Sequence, residues 1–168
     1  MKTTTAALLL LFSAFAHAEP FTAPIPGKQW ALTFDIGLIK EYRAVGDGNG
    51  FKFLAATSSQ WGAASTILSF FLERDASGST KECFETFWGR SSANPLIDKE
   101  SIRVSEEKTY RMVMYKYKSG QPHVNFYFIN DGYCIDVHAS LTADMPESEA
   151  ILRSIGRTLQ WQQLRGAK

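Results

Sequence analysis

The sequence predicts an α+β fold: a mostly antiparallel sheet of about six strands with two packed helices. Three observations predict it. Segments rich in β-branched and aromatic residues recur between turn signals over 30–57, 65–73 and 109–140. Two stretches, near 80–88 and 147–160, carry apolar residues at helical spacing. The resulting order, β-β-β-α-β-β-β-α, groups strands with strands, as one α+β domain does.

The first 18 residues read as a secretory signal. Lys2 gives a positive start, Ala6–Ala16 an apolar run, and Ala16-His17-Ala18 an A-x-A cleavage site before Glu19. That run is shorter than the ~20 residues a membrane-spanning helix needs. No later stretch is long and apolar enough, so no transmembrane segment is expected in the mature chain. Position 19 is Glu, not the Cys that carries lipid in bacterial lipoproteins. The expected location is periplasmic or secreted. The precursor has 168 residues, 18 Lys+Arg against 17 Asp+Glu and a net charge of +1. Loss of Lys2 balances the charges, which argues against nucleic acid as a partner, because phosphate neutralisation needs a basic excess. A mature chain of this size buries ~70% of its unfolded surface, so its core requires neither a metal nor a disulfide staple.

Residues 19–28 hold Pro20, Pro24, Pro26 and Gly27 and read as an extended leader. A single domain follows over 29–161, then a polar tail over 162–168. Trp30–Phe34 is the first strand, with Trp30, Leu32 and Phe34 on one face. Ile36–Val45 is ambiguous and ends in the strand-like Tyr42–Val45. Gly46–Gly50 reads as a turn. It lacks the Gly-Lys-Ser/Thr of a phosphate loop and the closing Glu of a calcium loop. Phe51–Thr57 and Ser65–Glu73 are strands joined by a Ser/Gln/Gly connector that holds Trp61. The apolar run Ile67–Leu72 predicts a strand covered on both faces.

Ser79 and Glu82 have the spacing of a capping box, and Phe84, Phe87 and Trp88 form a helical stripe ended by Gly89 and Pro95. Ser91–Glu107 is polar, a connector with a charged strand or turn. Tyr110–Lys118, His123–Asn130 and Tyr133–Ser140 form a meander, turning at Ser119-Gly120 and Asp131-Gly132. Lys108, Arg111, Lys116 and Lys118, offset by Glu106 and Glu107, read as a solvated edge that discourages strand addition. Asp144, Pro146 and Glu147 open the last helix. It places Ile151, Leu152, Ile155 and Leu159 on one face and ends around Trp161.

Both cysteines, Cys83 and Cys134, survive cleavage. An even count in an exported chain favours one disulfide, closing a loop worth about 4 kcal/mol in the chain-entropy model. Two buried thiols are the alternative, and a catalytic cysteine a weaker third.

The strand Phe51–Thr57, the helix around Cys83-Phe84-Glu-Thr-Phe87-Trp88, and the block Gly132–Ser140 leading to Ser148–Gly156 resemble in layout the Mog1/PsbP-like α/β/α sandwich. The likeness covers most of 30–161 and contains no catalytic motif. That family includes photosystem accessory subunits, a nuclear-transport cofactor, envelope lipoproteins and adaptors of secretion effectors. The resemblance therefore implies a non-enzymatic binding module. The signal sequence departs from the cytosolic secretion adaptors.

A two-residue loop at Asp131-Gly132 sets the register of the hairpin 123–140, with Phe128 facing Ile135 and Phe126 facing Val137. Val124, Phe126, Phe128, Ile135, Val137 and Ala139 then share a core face. The other face gathers His123, Asn125, Tyr127, Cys134, Asp136, His138 and Ser140. Its simplest reading is a solvent-facing strand surface, polar by alternation. As a binding site it comprises His123, Asn125, Tyr127, Asp136 and His138, with Trp61 as an exposed loop anchor. Asp136 and His138, ~7 Å apart at Cα, have the spacing of a hydrogen-bonded dyad. With His123 they make a two-His, one-carboxylate set of metal-ligand type. No catalytic residue, metal or cofactor is assigned.

The expected function is an exported non-enzymatic binding protein, a periplasmic inhibitor or immunity-type protein that binds and neutralises a secreted toxin or effector. Its expected partner is thus an envelope or secreted protein. The alternatives are a small-ligand or metal-binding envelope accessory protein, and a hydrolase using Asp136 and His138.

Overall fold

The computed structural model describes residues 20–37, 39–47, 50–57, 65–74 and 78–164. The signal segment 1–18, the connector with Trp61, the centre of the Gly46–Gly50 turn and tail residues 165–168 lie outside the described residues.

Trp30–Phe34 forms a strand, as its alternation predicts, but outside the main sheet. It is β2, the centre of a three-stranded antiparallel sheet between β1 (Phe21–Pro24) and β10 (Gln160–Gln163). Neither neighbour has a run of apolar residues long enough to announce a strand. β1 lies in the segment read as an irregular leader and β10 straddles the start of the polar tail. Both form by backbone pairing to β2, whose inward Trp30, Leu32 and Phe34 supply the apolar face.

The main sheet has seven antiparallel strands: β3 (Ile39–Asp47), β4 (Gly50–Thr57), β5 (Thr66–Arg74), β6 (Ile97–Glu106), β7 (Arg111–Tyr117), β8 (Pro122–Asn130) and β9 (Tyr133–Leu141). Their order is β3-β4-β5-β9-β8-β7-β6. The expected single sheet of about six strands is therefore corrected to two sheets, of seven and three strands, among the described residues. β6 is the charged strand left open in sequence, and it lies at one edge. It leaves register with β7 between Asp98 and Arg103, where the Ser101 hydroxyl accepts the Lys116 N–H at 2.8 Å.

Helix α1 (Thr80–Ser91) begins as its capping signal predicts. The Ser79 hydroxyl accepts the Glu82 N–H at 3.1 Å and donates to the Glu82 carboxylate at 3.0 Å. Gly89 does not end the helix but lies inside it; the Ser92 N–H closes the last turn on Trp88 O at 2.7 Å, just before Asn94-Pro95. Helix α2 (Ser148–Thr158) starts and ends differently from the sequence expectation. Glu147 makes no side-chain cap bond; the Ser148 hydroxyl accepts the N–H of Met145, which precedes the helix, at 2.8 Å. The Asp144 carboxylate pairs instead with Lys116 at 2.5 Å. The helix stops before Trp161 because Leu159 turns to extended geometry and feeds β10.

The two helices lie on opposite faces of the main sheet. On one face, Leu68, Phe70 and Leu72 of β5 and the predicted core face of the hairpin pack with Ile151, Leu152 and Ile155 of α2 and with the small sheet. On the other, Val113, Tyr115, Tyr127 and Cys134 pack under Cys83 and Phe87 of α1. This agrees with the helix–sheet–helix layering implied by the resemblance, but β5, expected to be covered on both faces, is fully covered only on its α2 side, and Phe71 on the other stays exposed.

Candidate functional site

The hairpin β8–β9 has the register its loop chemistry dictates: Asn130 pairs with Tyr133, Phe128 with Ile135 and Phe126 with Val137. Asp131 and Gly132 have φ of 50° and 73°, the left-handed values that a type I′ turn needs at both positions. All the residues assigned to the polar face do lie together on it.

That face is not the solvent-facing surface of the simplest reading. α1 covers it. Phe84 packs edge-on against Tyr127 at 5.5 Å, and a disulfide joins Cys83 to Cys134, with Cα atoms 5.4 Å apart. His123 and Asn125 are 3% exposed and Tyr127 is 0% exposed, so these three cannot form an open recognition surface. Alternation fixes which residues share a face; it does not say which helix lies over them. Trp61 lies outside the described residues.

In register, Asn125 stands opposite His138 and Tyr127 opposite Asp136. The side-chain bonds run diagonally instead, as strand twist allows. His123 Nδ1 is 2.9 Å from His138 Nε2, and Asn125 Nδ2 donates to Asp136 Oδ1 at 2.7 Å. The Asp136–His138 dyad is therefore not formed: each residue is engaged across the hairpin, not along its strand. Cys134, being in the disulfide, is not a thiol. Among the described residues no group of three His, Cys, Asp or Glu converges as metal ligands.

Two further contacts were not legible in the sequence. Tyr115 stacks on His123 at 5.2 Å with rings 8° from parallel, and Ser69 Oγ lies 3.5 Å from His138 Nδ1. Both follow from strand pairing, of β7 with β8 and of β5 with β9, which no local signal announces. The Ser69–His138 separation exceeds the usual reach of a nucleophile–base pair.

Burial governs the electrostatics. It lowers His123 to about 3, with the neighbouring His138 adding to the effect, and lowers His138 to about 4. Asp136 and His138 keep some accessible surface, but protein atoms crowd their titrating ends. Burial raises Asp136 to about 7 against the opposing hydrogen bond from Asn125. The phenols of Tyr115 and Tyr127 are also raised by burial, and both remain neutral. His123 Nε2 and Asn125 Oδ1 are buried without a hydrogen-bond partner among the described residues. Both rings are thus neutral, and the cluster is mostly inward-bonded. The same desolvation that opposes a proton on either ring opposes a divalent cation there.

A groove of about 600 Å³ opens between β6–β7 and the segment 144–149, and Tyr115 and His123 of the cluster also border it. Its walls include Arg103, Met114, Lys116, Asp144, Met145 and Glu149. Sequence reasoning missed it. Arg103 sits in a polar stretch without alternation, and the β6 irregularity that aims it is set by pairing with β7.

No family model matches this sequence, a Mog1/PsbP-like one included. No curated protein matches it either. Among solved structures, a protein from Bacteroides thetaiotaomicron is similar with a TM-score of 0.43 and 14% identity, over 90% of this chain and 50% of that one. This chain thus spans half the length of that protein. LpqN, involved in cell envelope biogenesis of Mycobacterium tuberculosis, is similar with a TM-score of 0.39 and 10% identity, over 86% of this chain and 91% of its own.

Proposed function

We propose that the mature chain is an exported, non-enzymatic binding protein of inhibitor or immunity type, which occupies the surface of a secreted or envelope protein. One observation carries this reading. The residues with chemical potential, His123, His138 and Asp136, are bonded to partners inside the protein; burial holds both rings neutral and raises the Asp136 carboxyl to about 7. A group already engaged and desolvated stabilises the fold more readily than it turns over a substrate.

Export is supported by the signal pattern and by the Cys83–Cys134 disulfide, a bond that persists in oxidising compartments. Among the described residues no helix is long and apolar enough to cross a membrane. The balanced charge of the mature chain favours recognition by shape and short-range contacts over bulk electrostatics.

The test uses the mature protein, residues 19–168, as bait in an envelope extract, beside an Asp136→Asn/His138→Gln variant. A defined partner retained by both proteins is the expected result. Hydrolytic turnover by the wild-type protein that disappears in the variant, with the fold intact, overturns the reading in favour of an enzyme.

A further inference from the structure

The groove between β6–β7 and residues 144–149 has a charge pattern that its lining alone does not reveal. Asp144 is neutralised by Lys116 at 2.5 Å, and Glu149 by Arg153 at 2.8 Å. Arg103 has no carboxylate partner among the described residues. Its Nη1 donates to two backbone carbonyls, Glu100 O at 2.7 Å and Ile102 O at 2.8 Å. Those carbonyls lie where β6 is out of register with β7, so the backbone irregularity itself orients the guanidinium. The Nε–Nη2 edge is left over. That edge is a planar fork matching a carboxylate, and its orientation is settled before any ligand arrives.

The groove therefore presents one uncompensated, pre-oriented cation. Beside it stand Met145, half-buried, and Met114, which pairs with Arg103 across the two strands. Arg and Met are the residue types enriched where proteins meet proteins, Arg for bidentate anchoring and Met for an adaptable apolar wall. A free inorganic anion would fill little of a 600 Å³ groove, and nothing in its walls supplies a second free cation.

We propose that this groove docks an acidic segment of a protein partner, with Arg103 anchoring a partner carboxylate and Met145 receiving the apolar side chain next to it. The proposal rests on the binding-protein reading and specifies its surface and the chemistry of its partner. It places recognition on the α2 side of the sheet, in a groove whose floor reaches Tyr115 and His123 at the edge of the histidine cluster.

The experiment measures fluorescence anisotropy of a labelled peptide of alternating Glu and Leu, titrated with the mature protein. A peptide with Lys in place of Glu is the control. Saturable binding of the acidic peptide alone is expected, weakened by about tenfold or more in Arg103→Glu and by less in Arg103→Lys, which keeps the charge but loses the fork. Arg103 is exposed, so thermal melts of both variants should overlay the wild type and exclude misfolding as the cause. Failure of the acidic peptide to bind, equal binding of both peptides, or unchanged binding in Arg103→Glu overturns the proposal. An envelope partner captured equally by wild-type and Arg103→Glu protein also overturns it, while leaving the binding-protein reading in place. Turnover lost in the Asp136→Asn/His138→Gln variant overturns that reading instead.

Discussion

His123 Nδ1 and His138 Nε2 stand 2.9 Å apart, so one ring donates the hydrogen bond and the other accepts it. The bond cannot survive a proton on both rings. Burial lowers the two groups to about 3 and about 4, whereas in the unfolded chain each titrates near 6.5. As pH falls below 6.5, the unfolded chain takes up protons that the folded chain refuses. The stabilisation from the neutral pair is therefore whole above pH 6.5 and is lost as pH falls through 6.5 toward 4 and 3. Urea midpoints of the wild type should drop over that window. His138→Gln removes one of the two titrating rings, so its midpoint should fall less steeply; parallel curves for the two proteins would refute the assignment.

Asp136 has the opposite sign. Its pKa rises from 3.8 to about 7, so the folded chain holds a proton that the unfolded chain has released. Its contribution is whole below pH 3.8 and is lost as pH rises through 7. Asp136→Asn keeps an acceptor for the Asn125 amide and removes the buried charge. At pH 8 the variant should be more stable than the wild type by roughly 1–3 kcal/mol, with the difference shrinking toward pH 4. Guanidinium unfolding at both pH values checks this, and a wild type that stays ahead at pH 8 would exclude it.

The hairpin was legible because its information is local. Asp131-Gly132 specifies the turn, the turn specifies the register, and the register sorts Phe126 and Phe128 from His123 and Asn125. What was not legible depends on distant pairing. Nothing in Phe84 or Phe87 says that α1 lies over Tyr127, so a buried polar face read as a solvated one. Gln160–Gln163 carries no strand pattern and pairs only because β2 offers an open edge. Arg103 belongs to a charged stretch whose shape is set by β7. The cysteine pair was legible by compartment and count, two facts that need no geometry.

The Cys83–Cys134 bond fastens the first turn of α1 to the start of β9 across 51 residues of chain. Replacing both cysteines by Ser frees that loop in the unfolded state, at a cost of about 4 kcal/mol in the chain-entropy model. The polar cluster under α1 should loosen with it. Hydrogen exchange ought to quicken first in α1, and denaturant midpoints of the double Ser variant should fall below those of the oxidised wild type. Exchange in α1 that matches the wild type would mean that Phe84, Phe87 and Trp88 hold the helix unaided.

Gly156 lies in the interior of α2, where Ala normally gains about 1 kcal/mol through helix propensity. Here the sign should reverse. A methyl group at this position would overlap the Phe126 ring and approach the Tyr110 hydroxyl to 2.9 Å. Neither side chain has an easy retreat. Phe126 is fully buried on β8, and Tyr110 packs against it edge-on at 5.4 Å, with the same ring also against Phe128. To admit the methyl, α2 must lift from the sheet or the aromatic group must shift, an overpacking cost of about 1–3 kcal/mol. That range meets or exceeds the propensity gain. Gly156→Ala should therefore melt below the wild type, and Phe126→Leu, by shortening the ring side, should relieve part of the loss in the double variant. A melting temperature raised by Gly156→Ala alone would show that α2 does not sit this closely on β8.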